Sequence, residues 1–351
     1  MSYCCVNCFK DTHIIQTIKK EEIKGDCDFC SSKNVPVIDI SSSNPVSEKL
    51  LQLIQAYTIS DNSNANLLKE SLRDDWSVFN LGCESIQSLV KVACSNEINE
   101  SDEIYSKKVI IEQLFDEDFQ HEYGLFKGLS WKDFSDYIKY RNRFHNAHFN
   151  ADSFASILSC ISQEVYSSSL FYRARICDNS NGFEADKMFS PPKSMRRPGR
   201  INPEEICVLY LSSDKDTVLY ETRANVYDYI TIGTFKAKRP LKIANLSGFS
   251  SISPFIYGDE VIEKFAINRN IFNEMAQEIA KPIRRNDSPF EYLPTQFIAE
   301  FIKSQRYDGV AYESTINKGG YNFALFDESL VECIEVETTE IVDIKYRTKT
   351  N

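Results

Sequence analysis

Two pairs of cysteines near the start of the chain carry the first chemical signal. Cys5-Val-Asn-Cys8 and Cys27-Asp-Phe-Cys30 are separated by eighteen residues. A C-x2-C turn aims two thiolates at one point, and two such turns form the tetrahedral cage that zinc takes in structural sites. Four thiolates leave no coordination position open, so the metal would staple the fold rather than catalyse. Cys4 is a spare thiol that could replace Cys5 as a ligand, and His13 has no partner at ligand spacing. The remaining six cysteines (Cys83, Cys94, Cys160, Cys177, Cys207 and Cys333) are dispersed and read as small hydrophobes.

The second signal is a short basic loop. Between Pro191 and Arg200 stand Lys193, Arg196, Arg197 and Arg200 with no acidic residue, in a chain of net charge −11. Guanidiniums on a Pro/Gly-stiffened loop suit bidentate capture of phosphate oxygens. The loop is too short for a nucleic-acid stripe but long enough for one pyrophosphate. The acidic balance itself argues against a nucleic-acid partner, since coating a polyanion needs surplus Lys and Arg. A third signal is Arg143-Phe-His-Asn-Ala-His148, an R-x4-H spacing that on a helix would place Arg143 and His148 on one face, as in HEPN ribonucleases.

These residues need elements to position them. The chain has 351 residues and is 42% hydrophobic, enough for two or three cored units. No apolar run is long enough for a membrane span, and the N-terminus has neither the basic nor the apolar region of a signal peptide, so the cytoplasm is the expected compartment. Val35–Ile40 reads as a strand, and Ser41-Ser-Ser-Asn-Pro45 as a helix start. Apolar stripes at helical spacing follow at 50–57, 67–76, 86–92, 109–115, 134–144 and 154–165, predicting a helical bundle. Beyond 171 the grain changes. Strands are expected at 206–211, 229–235, 309–312, 321–326 and 341–346, with helices at 216–224, 260–279 and 294–303. Strands and helices mix without a βαβ rhythm, which makes the class α+β. No phosphate-binding glycine motif of the ATP or dinucleotide folds occurs.

Six pieces of the C-terminal half resemble, in order, the RES-domain family: Tyr172-Arg173, Gly199-Arg-Ile-Asn-Pro203, Leu209-Tyr-Leu211, Glu221-Thr-Arg223, Glu291-Tyr-Leu-Pro-Thr-Gln296, and Asp308-Gly-Val-Ala-Tyr-Glu-Ser314 with Gly320-Tyr-Asn322 and Leu325-Phe326. Upstream, Cys8-Phe-Lys-Asp11 and Gly25-Asp-Cys-Asp-Phe-Cys30 look like the zinc-ribbon start of long RES proteins. Trp131-Lys-Asp-Phe134 and Tyr140-Arg-Asn-Arg-Phe144 look like their HEPN-type helical domain. The resemblance implies three domains: a zinc-ribbon-like knuckle (1–40), a helical HEPN-like domain (41–170) and a RES domain (171–351). It implies an ADP-ribosyltransferase-like split β-sheet holding NAD+ as substrate, and an NAD-consuming toxin of toxin–antitoxin or phage-defence systems.

The implied chemistry cleaves the nicotinamide–ribose bond, as an NAD glycohydrolase or phosphorylase, with an ADP-ribosyltransferase acting on a protein target as the alternative. The HEPN-type ribonuclease reading through Arg143 and His148 is the other. Positive charge develops on the ribose in such a reaction, and Glu221 is the carboxylate placed to stabilise it. Arg173 and Arg200 would hold the diphosphate, Tyr210 would stack on nicotinamide, and Ser314 would position the ribose, although this chain has Ser314-Thr315 where the family often has two serines. Thr295 and Gln296 would add polar contacts, and Cys5, Cys8, Cys27 and Cys30 would hold structural Zn2+. Nicotinamide leaves neutral and needs no general acid, which suits a chain with no histidine after His148. The ordinary roles of the same residues are a solvated carboxylate for Glu221, a core aromatic for Tyr210 and an ion-pair partner for Arg173. The resemblance also implies an antitoxin or other regulatory partner, with homo-oligomerisation through the helical domain as a further expectation.

Overall fold

A computed structural model describes residues 1–247, 253–255, 262–282 and 288–344, without the side chain of Lys193. The chain divides into two compact units. The first is Met1–Gly128 with Phe149–Ser153 and Phe249–Phe272; the second is Leu129–His148 with Phe154–Gly248 and Asn273–Asn351. Among the described residues no helix is long and apolar enough to cross a membrane.

The first unit begins with a small antiparallel sheet in the order β1 (Tyr3–Cys5), β3 (Val35–Asp39), β2 (Lys24–Gly25). Helix α1 (Thr12–Lys20) is capped by Asp11 and buries Ile14 and Ile18. At the expected helix start, Asn44 and Ser47 form a capping box and Pro45 occupies the first turn of α2 (Pro45–Gln55). Helices α3 (Leu68–Asp74), α4 (Cys83–Ala93) and α5 (Glu117–Tyr123) follow. One expected helix is absent. Residues 109–115 form strand β6 (Lys108–Ile110) and a 3₁₀ turn, with β6 pairing between β4 (Thr58–Ile59) and β5 (Asn66–Leu67). The run Val109-Ile-Ile111 is β-branched throughout, and such side chains fit a pleated strand better than a helix.

The second unit carries α6 (Trp131–Tyr140), most of α7 (Ala151–Cys160) and an eight-stranded sheet. Its strands are β7 (Ser162–Val165), β8 (Leu170–Cys177), β9 (Leu209–Ser212), β10 (Tyr229–Ala237), β11 (Leu241–Asn245), β12 (Gly309–Glu313), β13 (Tyr321–Leu325) and β14 (Val331–Glu340). Their spatial order is β14-β10-β8-β9-β13-β12-β11-β7. Helices α8 (Lys215–Thr222), α9 (Ile262–Ala280) and α10 (Leu293–Ser304) lie between strands in sequence. The α+β expectation holds. One face buries Phe171, Leu209, Leu211, Phe235, Leu241, Ile243 and Leu325; the other buries Ile230 and Ile232 against Val218 of α8.

Three expectations fail here. The helix expected over 154–165 ends at Cys160, and Ser162–Val165 is strand β7. No strand forms at Ile341–Ile344 (345 and 346 lie outside the described residues); the strand is β14, ten residues earlier. Its glutamates disguise it, and all four are exposed along an edge strand, where charge discourages edge-to-edge pairing. The Arg143–His148 segment is not helical, so Arg143 and His148 do not share a helix face. Helix α6 stops at Tyr140 because Asn142 Oδ1 accepts the N–H groups of Phe144 (3.3 Å) and His145 (3.1 Å), and Asn146 Oδ1 accepts that of His148 (2.8 Å). Short amide side chains offer the backbone turns in place of helical bonds.

Helix α8 is fixed at its start by Asp214, which accepts the N–H of Thr217 (2.8 Å) and the hydroxyls of Thr217 and Ser213 (both 2.7 Å). The β12–β13 loop closes over it: Asn317 Nδ2 donates to Thr217 Oγ1 at 2.8 Å, and a Cβ on Gly320 would lie 2.0 Å from that oxygen. Thr217 is fully buried and cannot move aside. Gly320→Ala is therefore expected to cost about 1–3 kcal/mol of stability, read from urea unfolding; a wild-type midpoint would refute the contact.

Candidate functional site

Strands β8 and β9 share one residue pair, Tyr172 with Ser212, and then diverge. The large sheet is split there, and into the split projects the Arg173 side chain, whose Nη1 donates to the Tyr210 carbonyl at 2.9 Å. Two adjoining cavities open beside the split. One, of about 210 Å³, is lined by Arg173, Leu211, Ser212 and Val218; the other, of about 370 Å³, by Arg200, Arg223, Ile279 and Lys281. Tyr210, Glu221, Tyr312 and Asn322 line both.

Glu221 stands near the end of α8, and its Oε1 accepts from Ser314 Oγ and Asn322 Nδ2, each at 2.8 Å. Each donor is itself held. Ser212 Oγ donates to Asn322 Oδ1 at 2.8 Å, which fixes the direction of the amide. Ser314 Oγ accepts the N–H groups of Ile316 (3.2 Å) and Asn317 (3.1 Å), so its proton is committed to Glu221. Both bonds fall on Oε1, leaving Oε2 as the oxygen available to a ligand. Burial pushes the phenols of Tyr210 and Tyr312 well above their ordinary range, and for Tyr312 the charges of Tyr210 and Glu221 act in the same sense. Both are therefore neutral aromatic walls at physiological pH.

Burial, and then the neighbouring Arg175, bring the Arg173 guanidinium down to about 10, so it remains a cation at neutral pH. Its Nε has no hydrogen-bond partner among the described residues. Arg200 is 8% exposed, lies 5.1 Å over the Tyr292 ring and pairs with Glu278 at 3.3 Å. Its turn is built tightly. Gly199 donates to the Asn202 carbonyl at 2.9 Å, Tyr210 Oη donates to Asn202 Oδ1 at 2.8 Å, and a Cβ on Gly199 would lie 2.9 Å from that Oη. Gln296 Nε2 donates to the carbonyls of Gly199 (2.8 Å) and Asn202 (2.9 Å).

Residues 170–346, just over half the chain, match the RES domain family. The chain belongs to that family. No curated protein matches it. Among solved structures, one chain of the crystal structure of the M. tuberculosis MbcT–MbcA toxin–antitoxin complex is similar at a TM-score of 0.30 and 10% identity, over 54% of this chain and 91% of that one.

In this RES domain, Glu221, Arg173, Arg200 and Tyr210 converge on the two cavities. Ser314 reaches them through Glu221. Gln296 supports the Arg200 turn from behind, and Thr295 donates to the Tyr292 carbonyl and lines a separate cavity with Trp131 and Glu278. Of the basic loop, Arg200 lines the cleft, whereas Arg196 is spent on the carbonyls of Pro191 (2.9 Å) and Glu205 (3.3 Å). Arg223, Tyr312 and Asn322 stand in the motif pieces that carry the resemblance but had no role assigned from sequence, and Lys281 lies outside those pieces. Asn322 had a signal, a lone amide in the apolar strand Tyr321–Leu325; Lys281 sits in a stretch with none.

In the first unit the Sγ atoms of Cys5, Cys8, Cys27 and Cys30 all lie within 4.8 Å of one another, with Cys5–Cys30 at 3.3 Å, Cys8–Cys27 at 3.4 Å and Cys5–Cys8 at 3.9 Å. Tetrahedral thiolates around zinc at ~2.3 Å stand about 3.8 Å apart, so the cluster fits the ion. Cys4, one residue along an alternating strand, is buried outside the group. Burial raises the Cys30 thiol, but hydrogen bonding with Ser32 outweighs it and holds the group at about 7; burial, reinforced by Cys30, raises Cys5 to about 11.

Replacing Gln296 by Ala would leave the buried Gly199 and Asn202 carbonyls without their donor. A loss of about 1–3 kcal/mol is expected, together with greater amide exchange in the 199–202 turn; unchanged exchange there would remove Gln296 from this role.

Proposed function

We propose that the second unit binds NAD+ and cleaves the bond between nicotinamide and ribose. The observation that carries this is a carboxylate, Glu221, fixed by two donors where two cavities meet, with guanidiniums lining both. Such an arrangement suits a substrate whose anionic diphosphate lies beside a ribose that becomes positive in the transition state. The family resemblance supplies the substrate's identity.

In this reading the diphosphate pairs with Arg200, and Arg173 holds charge on the far side of the split. The Tyr210 and Tyr312 rings flank the nicotinamide, being rigid and neutral. As the C1′–N bond breaks, its electron pair goes to nicotinamide, which leaves neutral, and Glu221 Oε2 stabilises the oxocarbenium ion. Water then adds to C1′ and releases a proton, giving ADP-ribose; phosphate in place of water gives ADP-ribose 1″-phosphate. A protein side chain as acceptor is the alternative. Ser314 acts through Glu221 rather than on the ribose directly. The biological reading is a toxin that depletes NAD+ and arrests growth, restrained by an antitoxin or other partner. The cysteine cluster holds a structural zinc ion that fastens the start of the first unit.

Incubating the protein with NAD+, with and without phosphate, should release nicotinamide, and the co-product names the acceptor. Glu221→Gln should lower the rate by about 10²–10³-fold. Intact NAD+ under both conditions, with no protein labelled from radioactive NAD+, defeats the proposal; full activity in Glu221→Gln defeats the assignment. For the metal, purified protein should carry zinc, and Cys8→Ser or chelation should lower the melting temperature; an unmoved melting curve would count against the site.

A further inference from the structure

Arg200 meets the cleft already paired. One of its partners, Glu278, lies in the last turns of α9, outside every motif that marks the family in this sequence. The pair is 3.3 Å long and its side chains are 10% and 29% exposed, so water screens it only in part. Glu278 also pairs with Lys281, three residues on, and Lys281 lines the same cavity as Arg200. Glu278 itself lines the neighbouring cavity, so its carboxylate backs, from behind, the two cations that an anionic ligand would meet on this wall.

We propose that Glu278 is a built-in counter-ion that sets how tightly the cleft holds a diphosphate. The proposal rests on the reading that the cleft takes a dinucleotide, and it adds the group that tunes that binding. An arriving phosphate oxygen competes with Glu278 for the Arg200 guanidinium and stands close to a like charge. Lys281 keeps the carboxylate partnered when Arg200 turns to the ligand. The Tyr292 ring under Arg200 holds the guanidinium plane while its partner changes. Without ligand, the same pair lowers the cost of keeping a buried guanidinium beside Arg223 and Lys281. The consequence is counterintuitive for an ion-pair partner: removing its charge tightens binding, whereas a purely structural partner would loosen it.

Isothermal titration of the full chain with inorganic pyrophosphate tests this without requiring any reaction. Glu278→Gln keeps the shape and an acceptor for Arg200 but removes the charge, and should bind pyrophosphate about 3- to 10-fold more tightly than wild type. Glu278→Ala should shift in the same direction, and Glu278→Asp, which keeps the charge, should stay with wild type. Arg200→Ala should abolish the gain in the Glu278→Gln background. Melting curves without ligand identify any variant that fails to fold. Equal or weaker binding by both neutral variants overturns the proposal, as does wild-type protein that does not bind pyrophosphate. Tighter binding in Glu278→Gln by a protein that leaves NAD+ intact upholds the counter-ion and rejects the dinucleotide reading.

Discussion

A carboxylate that shares a cleft with two tyrosines and several guanidiniums must have its charge met by fixed donors or it will collapse onto the nearest cation. Ser314 and Asn322 provide them, both on one oxygen of Glu221. The rest of the second unit answers to that constraint. The amide of Asn322 points correctly because Ser212 occupies its other end, and the Ser314 hydroxyl because two backbone N–H groups occupy its lone pairs. Those groups come from β9 and from the β12–β13 hairpin, which is why three strands and one helix must keep register for a single oxygen. Preorganised donors of this kind cost nothing to reorient when charge develops nearby.

The split between β8 and β9 is the second requirement. A fully paired sheet would leave no room for Arg173, whose guanidinium instead occupies the gap and binds the Tyr210 carbonyl. The Arg200 turn closes the other side by a different device: a glycine that admits the Tyr210 hydroxyl and a glutamine that satisfies two carbonyls.

What could be read from sequence was what depends on neighbours in the chain. The cysteine spacing, the Asn44–Pro45 helix start and the ordered pieces holding Arg173, Arg200 and Glu221 are of this kind. Partners about a hundred positions apart were not readable. Ser314 and Gln296 were expected to face a ligand, and their hydrogen bonds instead go to Glu221 and to the Gly199 turn. Local chemistry misled in three places. Val109–Ile111 was periodic enough to pass for a helix, the glutamates of β14 hid a strand, and the asparagines at 142 and 146 ended a helix that the surrounding aromatic pattern extended.

The contact between Gly320 and Thr217 bears on how this cleft can adapt. It joins α8 to the β12–β13 loop so closely that Glu221 and both its donors shift as one body or not at all. Any accommodation of a differently shaped ligand therefore belongs to the opposite wall, the 199–202 turn and the last turn of α9. The Glu221 cluster and the wall that carries Arg200 are thereby placed on separate parts of the fold, and mutational drift can reshape the second without disturbing the first.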